Sequence, residues 1–547
     1  MRKKRSAAER NRKYQFTFLN DGSSGSSSEL GPHWVPMYTT QSTQLQPMFT
    51  VEDFETAMLN LIEEPGINSN AIQRADILER NLYELSTVSK GSTLLKTSES
   101  HVIEPPQGEI KAMNLNDTAP RHLELLSPSL GLYVKHEIVR RVIPRNPFRD
   151  PIINQTCLIL NSYNDTETTP TTSLVVMLPH LEDPHTVEYE WPYYLPNSKA
   201  VALLFEQDKS LSIHYLPFPN IDTIKFQDET NRVARIAYKL LLTSFKHSLG
   251  THNGYEKRVN HDVVVDRAKL QNRYLLLKQK YSGFLMSHWV ESTDPKKHVY
   301  EDLLIAAFLL ELWLQCYGDD FRNVIQFRDL GCGNGVLVFI LISEGVKGYG
   351  VDARERKTWS VFPSIVRDCL RERVIVPSIL LNGGVTDELN QLLGASPSKL
   401  ETTDYPQNTF LIGNHSDELT CWIPLLGYPF FVIPCCSHDL SGQKCRYNVR
   451  KSKGPHSNNF NLGNSTYAGL VDHVDHLAEK AGWFVEREML RIPSTRNAAI
   501  IGYRRNPEVV SRPANSVIMD IIAEEGGAAS SWVKNAVKLM KQGPRSH

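Results

Sequence analysis

Seven residues, Asp329-Leu330-Gly331-Cys332-Gly333-Asn334-Gly335, combine a carboxylate with glycines spaced G-x-G-x-G. An apolar run, 324–327, leads in, and a second, 336–342, leads out. A strand that ends in a tight glycine turn and re-enters as a helix leaves bare backbone on which a nucleoside can lie. The nicotinamide and flavin fingerprint, G-x-G-x-x-G, does not fit: the third glycine comes one position early, and Val336 stands where that pattern wants Gly or Ala. The spacing therefore points to S-adenosylmethionine and methyl transfer. Asp329, Gly331, Gly333 and Gly335 are the candidate cofactor residues. Asp329 can hold backbone N–H groups of the turn and attract the ammonium of the methionine moiety. Asp352 joins them, since it ends the next expected strand (347–351), 21 residues after Gly331. A carboxylate there can accept both ribose hydroxyls of a bound nucleoside.

Two further apolar runs, 410–412 and 430–434, end in polar clusters. In a doubly wound sheet ligands bind at the carboxyl ends of strands, so both clusters are aimed at the crevice of the glycine turn. The first holds Asn414, His415, Ser416 and Asp417. His415 and Asp417 are candidates to take a proton from a methyl acceptor, and Asn414 to contact donor or acceptor. The Pro-Pro-aromatic run that grips an sp² nitrogen in amine methylators is missing there, which argues against base-amine or amide methylation. The second cluster holds Cys435, Cys436 and His438, with Cys445 beyond; the spacing matches no familiar zinc pattern, so no metal is expected. A cysteine nucleophile at Cys435 is the minor alternative.

Basic residues without nearby acids suggest a polyanionic partner. Between Asp439 and Asp472 there is no acidic residue, while Lys444, Arg446, Arg450 and Lys451 fall in that stretch. Arg140, Arg141 and Arg145 flank prolines in a segment expected to be extended, and are candidate contacts to RNA phosphates. Residues 1–13 contain seven Lys or Arg against one Glu, and residues 22–28 are only Gly and Ser.

These residues need elements to position them. Strands are expected at 157–160, 174–178, 200–205 and 211–216, and helices at 50–64, 232–247, from 266 through 281, and 301–316. Asp294 and Pro295 mark the start of the last of these. A helix around 470–478 and a strand pair at 483–487 and 498–503 finish the pattern. The 547 residues are 41% hydrophobic and 22% charged with a net charge of -1. That allows two or three domains and excludes wholesale disorder and a global attraction to nucleic acid. Eight cysteines in a chain this long, no apolar run of membrane length and no apolar signal region lead us to expect a cytoplasmic protein without a membrane partner.

Several runs resemble the AdoMet-dependent tRNA (uracil-2'-O-)-methyltransferase family, which acts on serine tRNA: VIPRNPFRDPIINQTC (142–157), STDPKKHVYEDLLIAAFLLELW (292–313), DLGCGNGVLVFILISEG (329–345), GYGVDARERKTW (348–359), NHSDELTCWIP (414–424) and PCCSHDLSGQK (434–444). The resemblance spans about 125–505. It implies an α/β architecture: a Rossmann-like class I methyltransferase domain preceded by an α+β family-specific domain. It implies S-adenosyl-L-methionine as donor, tRNA as partner and the ribose 2'-hydroxyl of a uridine as acceptor, and it names no base. The expected organisation is a poorly ordered region with a basic start (1–125), a family-specific, tRNA-binding domain (126–290), the methyltransferase domain (291–510) and a C-terminal tail (511–547). Two other readings stay open at this point: a protein methyltransferase, and a tRNA-binding protein with a vestigial methyltransferase fold.

Overall fold

The computed structural model describes all residues except 1–14, 20–27, 42–46, 86–92, 102, 107–109, 124–125, 164–169, 183–190, 219–225, 227, 256–260, 382–390, 392–393, 395–397, 451–462, 464, 507–513, 527–528 and 542–547. The basic start, nearly all of the Gly/Ser run and Lys451 lie outside the described residues. The chain divides into two compact units, Met1–Glu256 and Lys257–His547.

The first unit is built on a ten-stranded sheet: β1 (Thr17–Phe18), β2 (Val35–Thr39), β3 (Ile72–Leu85), β4 (Thr93–Ser100), β5 (Ala112–Met113), β6 (Tyr133–Pro144), β7 (Ile152–Tyr163), β8 (Pro170–Pro179), β9 (Ala200–Glu206) and β10 (Ser210–Leu216). The order is β1-β2-β10-β9-β8-β7-β6-β3-β4, with β5 added to β7. Two helices accompany it, α1 (Val51–Glu63) and α2 (Arg232–His252). The start of α1 is set by a capping box: Thr50 Oγ1 accepts from the Asp53 N–H at 3.2 Å, and the Asp53 carboxylate accepts from the Thr50 N–H at 3.0 Å. Alternation along β8 shows why its apolar run is continuous. Val175 packs with Phe54 and Phe245 of the helices, while Leu174 and Val176 belong to a separate cluster with Leu30 and Trp34. Both faces of the strand are covered.

This changes the expected division. Residues 35–85 supply two strands and a helix of the sheet, so the poorly ordered region expected over 1–125 is not what the described part of that stretch forms. The unit boundary falls at 256/257, ahead of the expected 290/291.

The second unit begins with α3 (Arg267–Ser287) and α4 (Pro295–Tyr317), the latter capped by Asp294, whose side chain accepts from the Lys296 N–H at 3.0 Å. A seven-stranded sheet follows: β11 (Gln326–Leu330), β12 (Gly348–Asp352), β13 (Leu370–Glu372), β16 (Thr409–Asn414), β17 (Phe430–Ile433), β18 (Trp483–Met489) and β19 (Ala498–Arg505). Its order is β13-β12-β11-β16-β17-β19-β18. The first five run parallel and β19 is antiparallel to both neighbours. β14 (Val374–Val376) and β15 (Leu400–Thr402) form a separate parallel pair. Helix α5 (Val336–Ser343) leaves the glycine turn, and α6 (Thr466–Lys480) precedes the final hairpin. The chain steps outward from β11 to β12 and β13, then returns to the other side of β11 for β16. The crevice at the carboxyl ends of β11 and β16 lies at this reversal.

The tail expected at 511–547 is instead packed. In α7 (Ala514–Glu524) and α8 (Ala529–Lys541), Ile521 and Trp532 are buried in the same apolar cluster as Trp422 and Val432. Trp532 is 1% exposed, and its indole N–H donates to the Ile375 carbonyl at 3.2 Å.

Candidate functional site

The glycine turn is held in a conformation that L side chains avoid. Gly331, Gly333 and Gly335 have φ of 83°, 52° and 75°. A Cβ on Gly331 would lie 3.3 Å from the Ser416 Cα, so the turn sits directly against the loop that follows β16. The Ser416 hydroxyl completes the contact by donating to the Leu330 carbonyl at 2.6 Å. A Cβ on Gly333 would meet nothing within 4 Å, which leaves its face of the turn open. Its amide donates to Asp352 Oδ2 at 2.9 Å, and the other oxygen of Asp352 accepts from the Arg354 N–H at 3.0 Å. The back of the turn is fastened by side chains: the Trp359 indole donates to the Gly333 carbonyl at 2.9 Å, and the Thr358 hydroxyl to the Asn334 carbonyl at 2.7 Å. Glu291 in turn accepts from the Thr358 N–H at 3.0 Å.

Asp329 is 1% exposed, and its Oδ1 has no hydrogen-bond partner. Burial, with the Asp352 charge beside it, pushes its carboxyl up to about 8. A buried acceptor without a donor is costly, and it suits a ligand that brings N–H groups and a positive charge. The turn thus fits S-adenosylmethionine on the chemistry of its groups: a buried carboxylate for the ammonium, Asp352 for the ribose and an open glycine face for the nucleoside.

Beyond β16 the chain is again forced into the left-handed region, now at residues with side chains: His415 has φ 58° and Asp417 φ 43°. Two consecutive acids on α4 hold this loop. Asp302 Oδ1 accepts from Asn414 Nδ2 at 2.9 Å, and Glu301 Oε1 lies 3.2 Å from His415 Nε2. Asn414 Oδ1 and His415 Nδ1 are buried and have no partner. Burial and the charges of Glu301 and Asp329 raise the Asp302 carboxyl well above the usual range. His298, one turn earlier on α4, is half-buried and its imidazole is pushed down, mainly by burial. Asn414, His415 and the glycine turn are therefore brought together as expected. Glu301 and Asp302 were not foreseen; the signal available was two adjacent acids at the start of a helix otherwise apolar on nearly every side.

Asp417 turns to the second cluster. The Cys435 thiol donates to Asp417 Oδ1 at 3.2 Å, and Cys436 Sγ lies 3.5 Å from Arg496 Nη1. The hydrogen bond from Cys435, with Arg496 adding, brings Cys436 down to about 7, while the same bond and burial drive Cys435 up. Asp417, Cys435 and Cys436 have ligand atoms within 4.8 Å of one another. Arg496 already supplies the cation beside Cys436, and His438 and Cys445 are not in the group.

The expected RNA-contacting residues separate into two kinds. Arg140 is 4% exposed and donates to Gln155 Oε1 at 3.0 and 2.6 Å and to the Ile62 carbonyl. Arg141 is 7% exposed and donates to Asn154 Oδ1 at 3.2 Å and to the Ile103 and Leu115 carbonyls. Arg450 pairs with Asp472, Asp475 and Glu479 at 3.1, 3.2 and 3.3 Å. These three guanidiniums are consumed by internal acceptors, which sequence order could not show because the acceptors on α6 lie 22 to 29 residues downstream of Arg450. Arg145, Lys444 and Arg446 are exposed.

Comparison with known proteins places relatives beside this chain. A family model described as "TRM44-like, N-terminal bet v1-like domain" matches residues 12–258, and one described as "Predicted AdoMet-dependent methyltransferase" matches residues 264–377. The chain is 49% identical to a tRNA (uracil-O(2)-)-methyltransferase of Candida glabrata, over 97% of this chain and 98% of that one. It is 48% identical to the protein of the same name from Saccharomyces cerevisiae, over 98% and 97%, and 47% identical to that of Kluyveromyces lactis, over 95% and 98%.

Proposed function

The chain belongs to the tRNA (uracil-O(2)-)-methyltransferase family, and from that premise we propose that its acceptor is the ribose 2'-hydroxyl of a uridine in serine tRNA, bound at the loop Asn414–Asp417. It is an enzyme, an AdoMet-dependent tRNA methyltransferase. The strand order β13-β12-β11-β16-β17-β19-β18, with β19 reversed, supports a Rossmann-like class I methyltransferase domain. Family membership leaves the protein-methyltransferase and vestigial readings without an observation in their favour.

The observation that carries the site assignment is a set of three buried acceptors without partners, Asp329 Oδ1, Asn414 Oδ1 and His415 Nδ1, at the ends of two neighbouring strands. When bound, the cofactor supplies an activated methyl group on a sulfonium. The protein's part is then mostly placement. Asp329 and Asp352 fix the donor's two ends. The close approach of Ser416 to Gly331 sets the acceptor loop against the turn. The acceptor loop supplies a proton acceptor near the 2'-hydroxyl, a weak acid that must lose its proton as the methyl arrives. Exposed Arg145, Lys444 and Arg446 are the candidates for contacts to tRNA phosphates. Among the described residues no helix is long and apolar enough to cross a membrane. All eight cysteines are free, and we place the protein in the cytoplasm on its reduced thiols.

The test is incubation of the purified protein with labelled S-adenosylmethionine and total tRNA from a strain lacking it, followed by nucleoside analysis of fractionated tRNAs. The expected result is 2'-O-methyluridine in serine tRNA. Base methylation, or label confined to other tRNAs, overturns the proposal.

A further inference from the structure

Resting on the acceptor assigned above, we propose that Glu301 is a positioning residue that makes His415 the base, presenting its Nδ1 to the uridine 2'-hydroxyl. Glu301 is 5% exposed and faces the imidazole with one oxygen at 3.2 Å from Nε2. A carboxylate can only accept, so the hydrogen of the neutral ring sits on Nε2 and the lone pair is left on Nδ1. Nδ1 is the buried ring atom with no partner. The ring is fixed from the backbone side as well: His415 adopts φ 58°, and its amide donates to the Ile433 carbonyl at 3.3 Å. Left-handed backbone at a residue other than glycine is sustained only where surrounding contacts enforce it. Here Glu301 and Asp302 enforce it together, one gripping His415 and the next gripping Asn414.

The chemistry balances simply. The 2'-oxygen forms its bond to the methyl carbon while the carbon–sulfur bond returns its electron pair to sulfur. The hydroxyl proton passes to Nδ1, and afterwards to solvent. The imidazolium formed on the way is stabilised by the Glu301 charge. Asp417 is unsuited to the same task in this arrangement, because one of its oxygens already accepts from Cys435. The titratable and charged groups next to His415 include Glu301 and His298 from α4, with Asp302 on the neighbouring Asn414 and Asp417 two residues on, itself bonded to Cys435.

The test measures kcat, KM and the pH dependence of kcat from pH 5.5 to 9 for the wild type, Glu301→Gln, Glu301→Asp and His415→Gln, with cofactor affinity by calorimetry as the control for folding. Rate rises with pH as the base loses its proton. His415→Gln is expected to lower kcat roughly 100-fold and abolish that rise. Glu301→Gln is expected to lower kcat roughly tenfold or more, at unchanged cofactor affinity. It is also expected to alter the acidic limb, because an amide at this position no longer fixes which ring nitrogen carries the hydrogen. Glu301→Asp is expected to restore the limb and part of the rate. A Glu301→Gln profile that superimposes on the wild type, or an acidic limb that survives in His415→Gln, overturns the proposal. If Glu301→Gln fails to bind cofactor, the His415→Gln and Glu301→Asp profiles decide in the same way. These outcomes are read on whichever acceptor the wild type labels, so they are separate from the nucleoside analysis that judges the substrate.

Discussion

Asp329 is held, at the scale of one residue, in a state that suits the cofactor to which the glycine spacing around it points. Its Oδ1 is kept unpartnered in a dry place, and its proton affinity rises accordingly, to about 8. The consequence has a definite sign. Between about pH 4 and pH 8 the unfolded chain's carboxyl is ionised while the folded, cofactor-free protein keeps the proton. The contribution of this residue to stability is therefore full below the unfolded value and is lost as pH rises through about 8. An ammonium placed against Asp329 favours the carboxylate, so cofactor binding at pH 7 is expected to release a proton. Calorimetry in buffers of different ionisation enthalpy measures that release. Asp329→Asn is expected to release fewer protons, to bind the cofactor at least tenfold more weakly, and to lose stability less steeply between pH 5 and 8. At this scale the turn proposed for the cofactor stood out from glycine and carboxylate spacing alone. The acceptor side was half legible. Asn414 and His415 follow a strand and could be found, but Glu301 and Asp302 precede them by more than 110 residues and meet them only because α4 crosses the strand ends.

Elements explain the rest of what sequence showed and hid. Short apolar runs located the strands β7 to β10 and β16 to β19, most of them buried along nearly their whole length, and helical spacing located the helices around them. Charge, by contrast, misleads when its partners are distant in sequence. The loop before α6 reads as five positive charges with no acid, yet α6 presents Asp472, Asp475 and Glu479 to Arg450. Arg450→Ala is expected to lower stability by about 1–3 kcal/mol, since it leaves buried carboxylate groups with fewer donors, and to leave the salt dependence of tRNA binding unchanged. Lys444→Ala with Arg446→Ala is expected to do the reverse, leaving the melting temperature in place and reducing the slope of log affinity against log salt by about 0.7–0.9 for each phosphate that the protein no longer neutralises. Thermal melts and binding titrations at several salt concentrations check both. The C-terminal helices hid for a related reason. Each has an apolar face, Ile518, Ile521 and Ile522 on α7 and Trp532, Val533 and Ala536 on α8, but its packing partners lie far back in the sequence, and only the structure shows that Trp532 reaches Ile375 and packs against Trp422.

On the scale of the whole molecule, every group assigned to holding the donor or moving the proton belongs to the second unit, from Glu301 to Asp417. Residues 257–547 produced alone are expected to bind S-adenosylmethionine within about threefold of the full chain, by calorimetry. A loss of binding refutes the assignment of the cofactor site to that unit by itself. The first unit could be foreseen only in part, since its strands from 157 onward read as strands, while those before pair with partners far along the chain. One fastening of the glycine turn has a practical side. The Trp359 indole, 5% exposed, is bonded to the carbonyl of Gly333, the glycine whose face is open. The turn thus carries its own chromophore, and a change in tryptophan emission that disappears in Trp359→Phe is expected to report occupancy of the proposed site in the unlabelled protein, in real time.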